Sequence, residues 1–325
     1  MRDEWGRSIH YLRLSVTDRC NLRCRYCMPE GVARCEHADV LTYEEFLRLA
    51  RLFAACGVDT VRVTGGEPLV RREVHKLVAG LKQTPGIRRV ALTTNGVLLA
   101  EQLPDLLAAG LDSVNISLDA LSPEVYRAIA GRDELEATRR GIRAALDGGL
   151  PVKLNCVPQP GLNETELLPL AALARQLPLQ VRFIEMMPIG CGAAQPSLSG
   201  REVLARLRAQ WPELAPLSAA QAAGFGDGPA VYYSAPGWQG SVGLIMAVHG
   251  KFCASCNRVR LTSRGFLRPC LASETGADLR TALRAGASDG ALLDTIRQTI
   301  WKKPQEHHFE SKNSPRTQGM YRIGG

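Results

Sequence analysis

Six short apolar runs punctuate the first 185 residues: "IHYLRLSV", "VDTVRV", "RRVALT", "DSVNISL", "PVKLNCV" and "LQVRFIE". Each is followed, directly or after a loop, by residues whose apolar positions recur at helical spacing. Two of these helices have marked starts. "TYEEFLRLARLFAACG" opens on a T-x-x-E capping box and stops at Gly57, and "NETELLPLAALARQL" opens on Asn163 with Glu166 three residues on. Pro169 must either kink the second helix or mark its late start. Strands alternating with helices at a spacing of roughly thirty residues predict successive right-handed βαβ units and a parallel sheet.

Six such units are fewer than the eight of a closed barrel, and polar motifs follow almost every strand, as they do on the C-terminal face of barrels. The expectation is an α/β fold, a partial (β/α)6 TIM-like barrel over residues 1–190. Beyond Gly190 the pattern breaks. "CGAAQPSLSG" reads as a linker, "REVLARLRAQW" as a helix, and "GFGDGP" as a turn cluster, because no G-x-G-x-x-G is present. Residues 191–325 are expected to form a smaller α+β domain with strand-like "AVYYSAP", "SVGLIMAV" and "NRVRLTS", a helix around 289–301, and a polar tail ending in "YRIGG".

Four of the six strands carry a cation: Arg13, Arg62, Lys153 and Arg182. Strands of a parallel sheet covered on both faces are nearly continuous apolar runs, so these charges need a reason. Any one of them can point outward and snorkel past a helix. Four together favour an inward cationic pocket for a polyphosphate. The net charge of +8 suits any anionic partner, but the placement of the cations favours a small phosphorylated substrate over a nucleic-acid groove. The N-terminus has no apolar signal segment and no run is long enough to span a membrane, so a cytoplasmic location without membrane attachment is expected.

Ten cysteines are too sparse for a disulfide scaffold, and their clustering implies metal or redox chemistry. Cys20, Cys24 and Cys27 form C-x3-C-x2-C just after the first strand; Cys253, Cys256 and Cys270 form C-x2-C-x13-C. A four-iron cubane normally takes four thiolates. Two sets of three therefore suggest two clusters, each with one iron open to a non-protein ligand. Zinc is the rival: Cys24/Cys27 and Cys253/Cys256 are paired C-x-x-C knuckles able to share one ion, at the cost of leaving Cys20 and Cys270 without a role. Cys35, Cys56, Cys156 and Cys191 are isolated and read as structural or incidental, and "HH" at 307–308 is given no metal role. "GGEP" after the second strand permits a tight turn and close approach to a ligand, while "TTNG" and "ISLDA" add hydroxyls and an amide to the same rim.

C-x3-C-x2-C followed by "GGEP" resembles the radical S-adenosylmethionine (SAM) superfamily. The larger set "LRLSVTDRCNLRCRYCMP", "VRVTGGEPLVRR", "TTNG", "VNISLDA", "VKLNCV", "RFIEMMPIG", "CNRVRLT" and a terminal "GG" resembles, within it, the GTP 3',8-cyclase family of molybdenum cofactor biosynthesis, from about residue 7 to the end. By position, the resemblance implies that Cys20, Cys24 and Cys27 bind one [4Fe–4S] cluster, with Tyr26, Gly66, Ser117 and Met187 contacting SAM. Cys253, Cys256 and Cys270 would bind a second [4Fe–4S] cluster. Arg13, Arg62, Thr93, Lys153 and Arg182 would line the GTP site with Arg258, Val259 and Arg260, while Arg13 and the terminal Gly324 and Gly325 would assist catalysis.

The resemblance further implies that SAM yields a 5'-deoxyadenosyl radical that removes hydrogen from C3' of GTP, after which C3' closes onto guanine C8. The second cluster's open iron would hold the guanine. An external electron donor and a downstream cyclic pyranopterin monophosphate synthase are the implied partners of a monomer or homodimer. The chain departs from the family pattern at Pro188, where an aspartate is usual, and in a short linker after it. Two other classes compete: a radical SAM enzyme acting on a peptide or RNA, and a non-enzymatic zinc-stabilised module or iron–sulfur electron carrier.

Overall fold

The six apolar runs form strands β1 (Tyr11–Ser15), β2 (Thr60–Thr64), β3 (Arg89–Thr94), β4 (Ser113–Ser117), β5 (Val152–Cys156) and β6 (Gln180–Ile184), each parallel to the next. The computed structural model describes residues 1–31, 37–226, 228–309 and 319–323. Cys35, Asp227 of the turn cluster, and the terminal Gly324 and Gly325 lie outside them.

The connecting helices follow their sequence signals with one exception. Helix Tyr43–Ala55 has the expected capping box: the Thr42 hydroxyl accepts from Glu45 N–H and the Glu45 carboxylate accepts from Thr42 N–H. Pro169 falls in the first turn of helix Leu167–Gln176, after a 3-10 turn over Glu164–Glu166, so it marks a late start and not a kink. Asn163 does not cap that helix. Its amide instead donates to the carbonyls of Asp119 and Val157, and Glu166 accepts from Leu121 and Ser122 N–H. Tertiary bonds to the β4 and β5 loops have taken over a local signal.

The C-terminal part returns to the same sheet. It supplies β7 (Ala215–Pro216), β8 (Val231–Ser234), β9 (Ser241–Ile245), β10 (Arg258–Leu261), β11 (Phe266–Arg268) and β12 (Ala277–Asp278). β9 joins parallel to β6 and β10 joins parallel to β1, which gives the order β12-β11-β10-β1-β2-β3-β4-β5-β6-β9-β8-β7. The sheet has two ends, so it is an open arc and not a closed barrel. The segment read as a linker contains a 3-10 turn, Gly190–Ala194, and Ser199 then caps helix Gly200–Gln210.

Along each parallel strand the side chains alternate. Leu12, Leu14, Val61, Val63, Val114 and Ile116 pack into the apolar core with the helices. Arg13, Arg62, Asn115, Lys153 and Arg182 lie on the other face and line one cavity. A parallel sheet buried on both sides needs no such alternation; here the inner face is reserved for polar groups. Among the described residues no helix is long and apolar enough to cross a membrane.

Candidate active site

Register brings the strand cations together. Arg13 lies beside Arg62 of β2 and Arg260 of β10, Asn115 beside Lys153, and Asn155 beside Arg182. These side chains line a cavity of about 360 Å³, a size typical of small-molecule sites. Arg62 Nε donates to the Tyr11 hydroxyl at 2.5 Å, and its Nη1 donates to the Leu92 carbonyl at 3.0 Å. Arg182 forks onto Asn155 Oδ1 at 2.9 and 2.6 Å, and Lys153 Nζ donates to the Phe225 carbonyl. Burial, followed by repulsion from Arg260, pushes the Arg13 guanidinium well below its ordinary value; burial and then Arg258 bring Arg260 down to about 10. Arginine stays protonated in proteins, so these directions express positive charge awaiting an anion.

The first cysteine set is held by main-chain contacts. Gly66 N–H donates to the Thr17 carbonyl at 2.7 Å and Glu67 N–H to the Arg19 carbonyl at 2.8 Å. A Cβ on Gly66 would lie 2.5 Å from Arg19 O, and one on Gly65 2.6 Å from Thr17 O. The glycine pair of "GGEP" therefore lets the cysteine loop seat against β2. On its far side Arg23 and Arg25 N–H donate to the carbonyls of Ala130 and Ile129. Burial pushes the thiols up, Cys20 to about 11, Cys27 to about 12 and Cys24 well above its ordinary value.

Two carboxyl groups stand close by. Glu67 accepts from Asn95 N–H, Leu69 N–H and the Thr94 hydroxyl, yet complete burial raises it to about 7. Asp119, raised to about 6 by burial, accepts from the Tyr26 hydroxyl at 2.8 Å and from Val157 N–H at 2.7 Å.

Cys253, Cys256 and Cys270 line the same cavity from the opposite side. Burial opposes the Cys256 thiolate, but the Lys303 and Arg258 cations outweigh it and bring that thiol below its ordinary value. His307, read from sequence as part of a tail, is buried in this wall and stacks on Phe309 with ring centroids 4.1 Å apart.

Residues 14–174 match the family model described as the Radical SAM superfamily, and residues 179–309 match Molybdenum Cofactor Synthesis C. The chain is 47% identical to the GTP 3',8-cyclase of Heliobacterium modesticaldum and 45% identical to that of Moorella thermoacetica, with full coverage of both chains in each case. It belongs to the GTP 3',8-cyclase family. Molybdenum cofactor biosynthesis protein 1 of Homo sapiens is 44% identical over 94% of this chain and 48% of that protein. Among solved structures, Streptococcus suis SuiB bound to S-adenosylmethionine superposes with a TM-score of 0.62 at 14% identity, over 97% of this chain and 77% of that one, a likeness of fold.

GTP 3',8-cyclases work with SAM and two [4Fe–4S] clusters, and the donor set here fits them. No three His, Cys, Asp or Glu side chains among the described residues close around a single ion. A cubane needs a wider spread, because each thiolate takes a different iron. Buried thiols that resist ionisation alone are the groups a cationic iron core deprotonates.

Every site residue expected from sequence lines the cavity except three. Gly324 and Gly325 lie outside the described residues, although Met320 and Tyr321 reach the cavity wall. Val259 lies between Arg258 and Arg260 on β10, and its side chain enters the apolar core. Tyr11, Asn115, Asn155, Asp119 and Lys303 were missed. The first three share the inward parity of the strand cations, a signal already present in the sequence.

Proposed function

We propose that the chain is a lyase that converts GTP to (8S)-3',8-cyclo-7,8-dihydroguanosine 5'-triphosphate in molybdenum cofactor biosynthesis. The observation that carries this reading is the single cavity with two three-cysteine sets on opposite sides and strand cations between them. In it, Cys20, Cys24 and Cys27 would hold the first cluster, and Tyr26, Gly66, Ser117 and Met187 would contact SAM. Cys253, Cys256 and Cys270 would hold the second, which would offer a binding position for the guanine. The clusters and SAM supply the electron and the 5'-deoxyadenosyl radical that removes H3' from GTP.

The protein's own contribution is position and charge. Arg13, Arg62, Lys153, Arg182, Arg258 and Arg260 neutralise the triphosphate, with Thr93 in the wall and the Val259 main chain as a further GTP contact between Arg258 and Arg260. Fixed at both its base and its phosphates, the nucleotide keeps C3' toward the SAM side and C8 near C3'. The enclosed walls keep water from a reactive radical. Gly324 and Gly325 assist catalysis together with Arg13, as the resemblance implies. We place residues 1–190 as the barrel and 191–325 as the auxiliary-cluster region. The chain acts in the cytoplasm as a monomer or homodimer, with an external electron donor and cyclic pyranopterin monophosphate synthase downstream.

Anaerobically reconstituted protein is expected to hold about eight irons, two cubanes' worth. With SAM, reductant and GTP deuterated at C3', deuterium should appear in 5'-deoxyadenosine. No transfer from GTP would remove the substrate assignment, and one zinc with no iron would remove the whole reading.

A further inference from the structure

Lys303 is a lysine only 1% exposed, and nothing in the reaction outlined above uses it. Its Nζ donates to the Arg258 carbonyl at 3.0 Å and to the Pro269 carbonyl at 2.5 Å. Those carbonyls lie two residues after Cys256 and immediately before Cys270. Among the described residues the Lys303 ammonium forms no ion pair with a carboxylate, and a buried ammonium without a counter-charge is strongly disfavoured.

Its backbone is fixed as firmly as its head. Trp5 Nε1 donates to the Lys303 carbonyl at 3.0 Å. Arg7, itself buried against Asp3, reaches the carbonyls of Pro304 and Gln305 at 2.7 and 2.8 Å and that of Cys253 at 2.9 Å. Residues 3–7 thus strap segment 303–305 to the loop that carries Cys253 and Cys256.

We propose that Lys303 is a positioning residue for the second cluster: it ties the two ligand-bearing loops together and serves as the permanent counter-charge of the thiolate-bound cluster. This rests on the two-cluster reading above. A fixed cation held between the two ligand-bearing loops favours the more negative, reduced state. The second cluster therefore has a higher reduction potential than its thiolates alone would give it.

The test uses reconstituted full-length protein carrying Lys303→Met, Lys303→Gln or Lys303→Arg, titrated anaerobically with redox mediators and followed by electron paramagnetic resonance. SAM marks the first cluster's signal and GTP the second's. In Lys303→Met and Lys303→Gln the second cluster's midpoint is expected to move to lower potential while the first stays in place; in Lys303→Arg it should stay near that of the unsubstituted protein. Fully loaded neutral variants with an unmoved midpoint would overturn the proposal. If both neutral variants fail to load the second cluster, Lys303→Arg decides: retention of the midpoint supports the role, and a fall overturns it. About four irons in the unsubstituted protein would instead overturn the two-cluster reading, before any variant is compared.

Discussion

The two cysteine loops face one cavity but are supported in different ways. The first is docked by glycines and main-chain bonds onto β2, with two buried carboxyl groups, Glu67 and Asp119, nearby. The second is gathered by cations, with Lys303 and Arg258 offsetting the burial of Cys256. Acidic neighbours make an added electron costly and so suit a strong reductant. Cationic neighbours ease negative charge. The same ligand count is tuned in opposite directions by what surrounds it.

The sharpest break of that comparison is to remove one thiol from each loop. Cys24→Ala and Cys256→Ala should each fall from about eight to about four irons by iron analysis. Cys24→Ala should make no 5'-deoxyadenosine at all. Cys256→Ala should still cleave SAM, and mass spectrometry should find no deuterium from C3'-labelled GTP in the product.

Arg13→Ala separates the substrate from the SAM side. Truncating one partner of a buried charge pair costs about 3 kcal/mol, or roughly a hundredfold, so GTP affinity by anaerobic calorimetry should fall by that factor with SAM affinity unchanged.

The acidic side can be read through pH in the iron-free protein. Glu67 is raised from 4.5 to about 7, so the folded state binds its proton more tightly than the unfolded state. That stabilisation is fully present below about pH 4.5 and is lost as pH rises through 7, a swing of order 3 kcal/mol. Glu67→Gln should give a lower but flatter urea-unfolding profile across this window; an unchanged slope would assign the pH dependence elsewhere. Smallest is Trp5→Phe, which deletes one hydrogen bond to the Lys303 carbonyl and should cost about 1 kcal/mol by thermal unfolding, loosening the second loop alone.

What was legible in the sequence is what depends on spacing. The strand cations betrayed an inward polar face because period-two alternation is local, and the cysteine sets needed only their intervals. Three features depend on long-range pairing and left no local mark. β9 and β10 look like strands of a separate unit until their registers with Ile184 and Leu14 are seen. Asn163 carries a helix-start signal that tertiary partners redirect. Lys303 sits in "WKKPQ", indistinguishable from a solvated pair of lysines until its Nζ is found on the Arg258 and Pro269 carbonyls.

The strap between the two termini also sets an order of events during synthesis. Trp5 and Lys303 are 298 residues apart, and Arg7 and Cys253 are 246 apart. A chain leaving the ribosome N-terminus first has Cys20, Cys24, Cys27 and their β2 support within its first seventy residues or so. The second loop cannot close until residues 303–305 have emerged. The two cysteine sets are therefore brought to their final supports at different times.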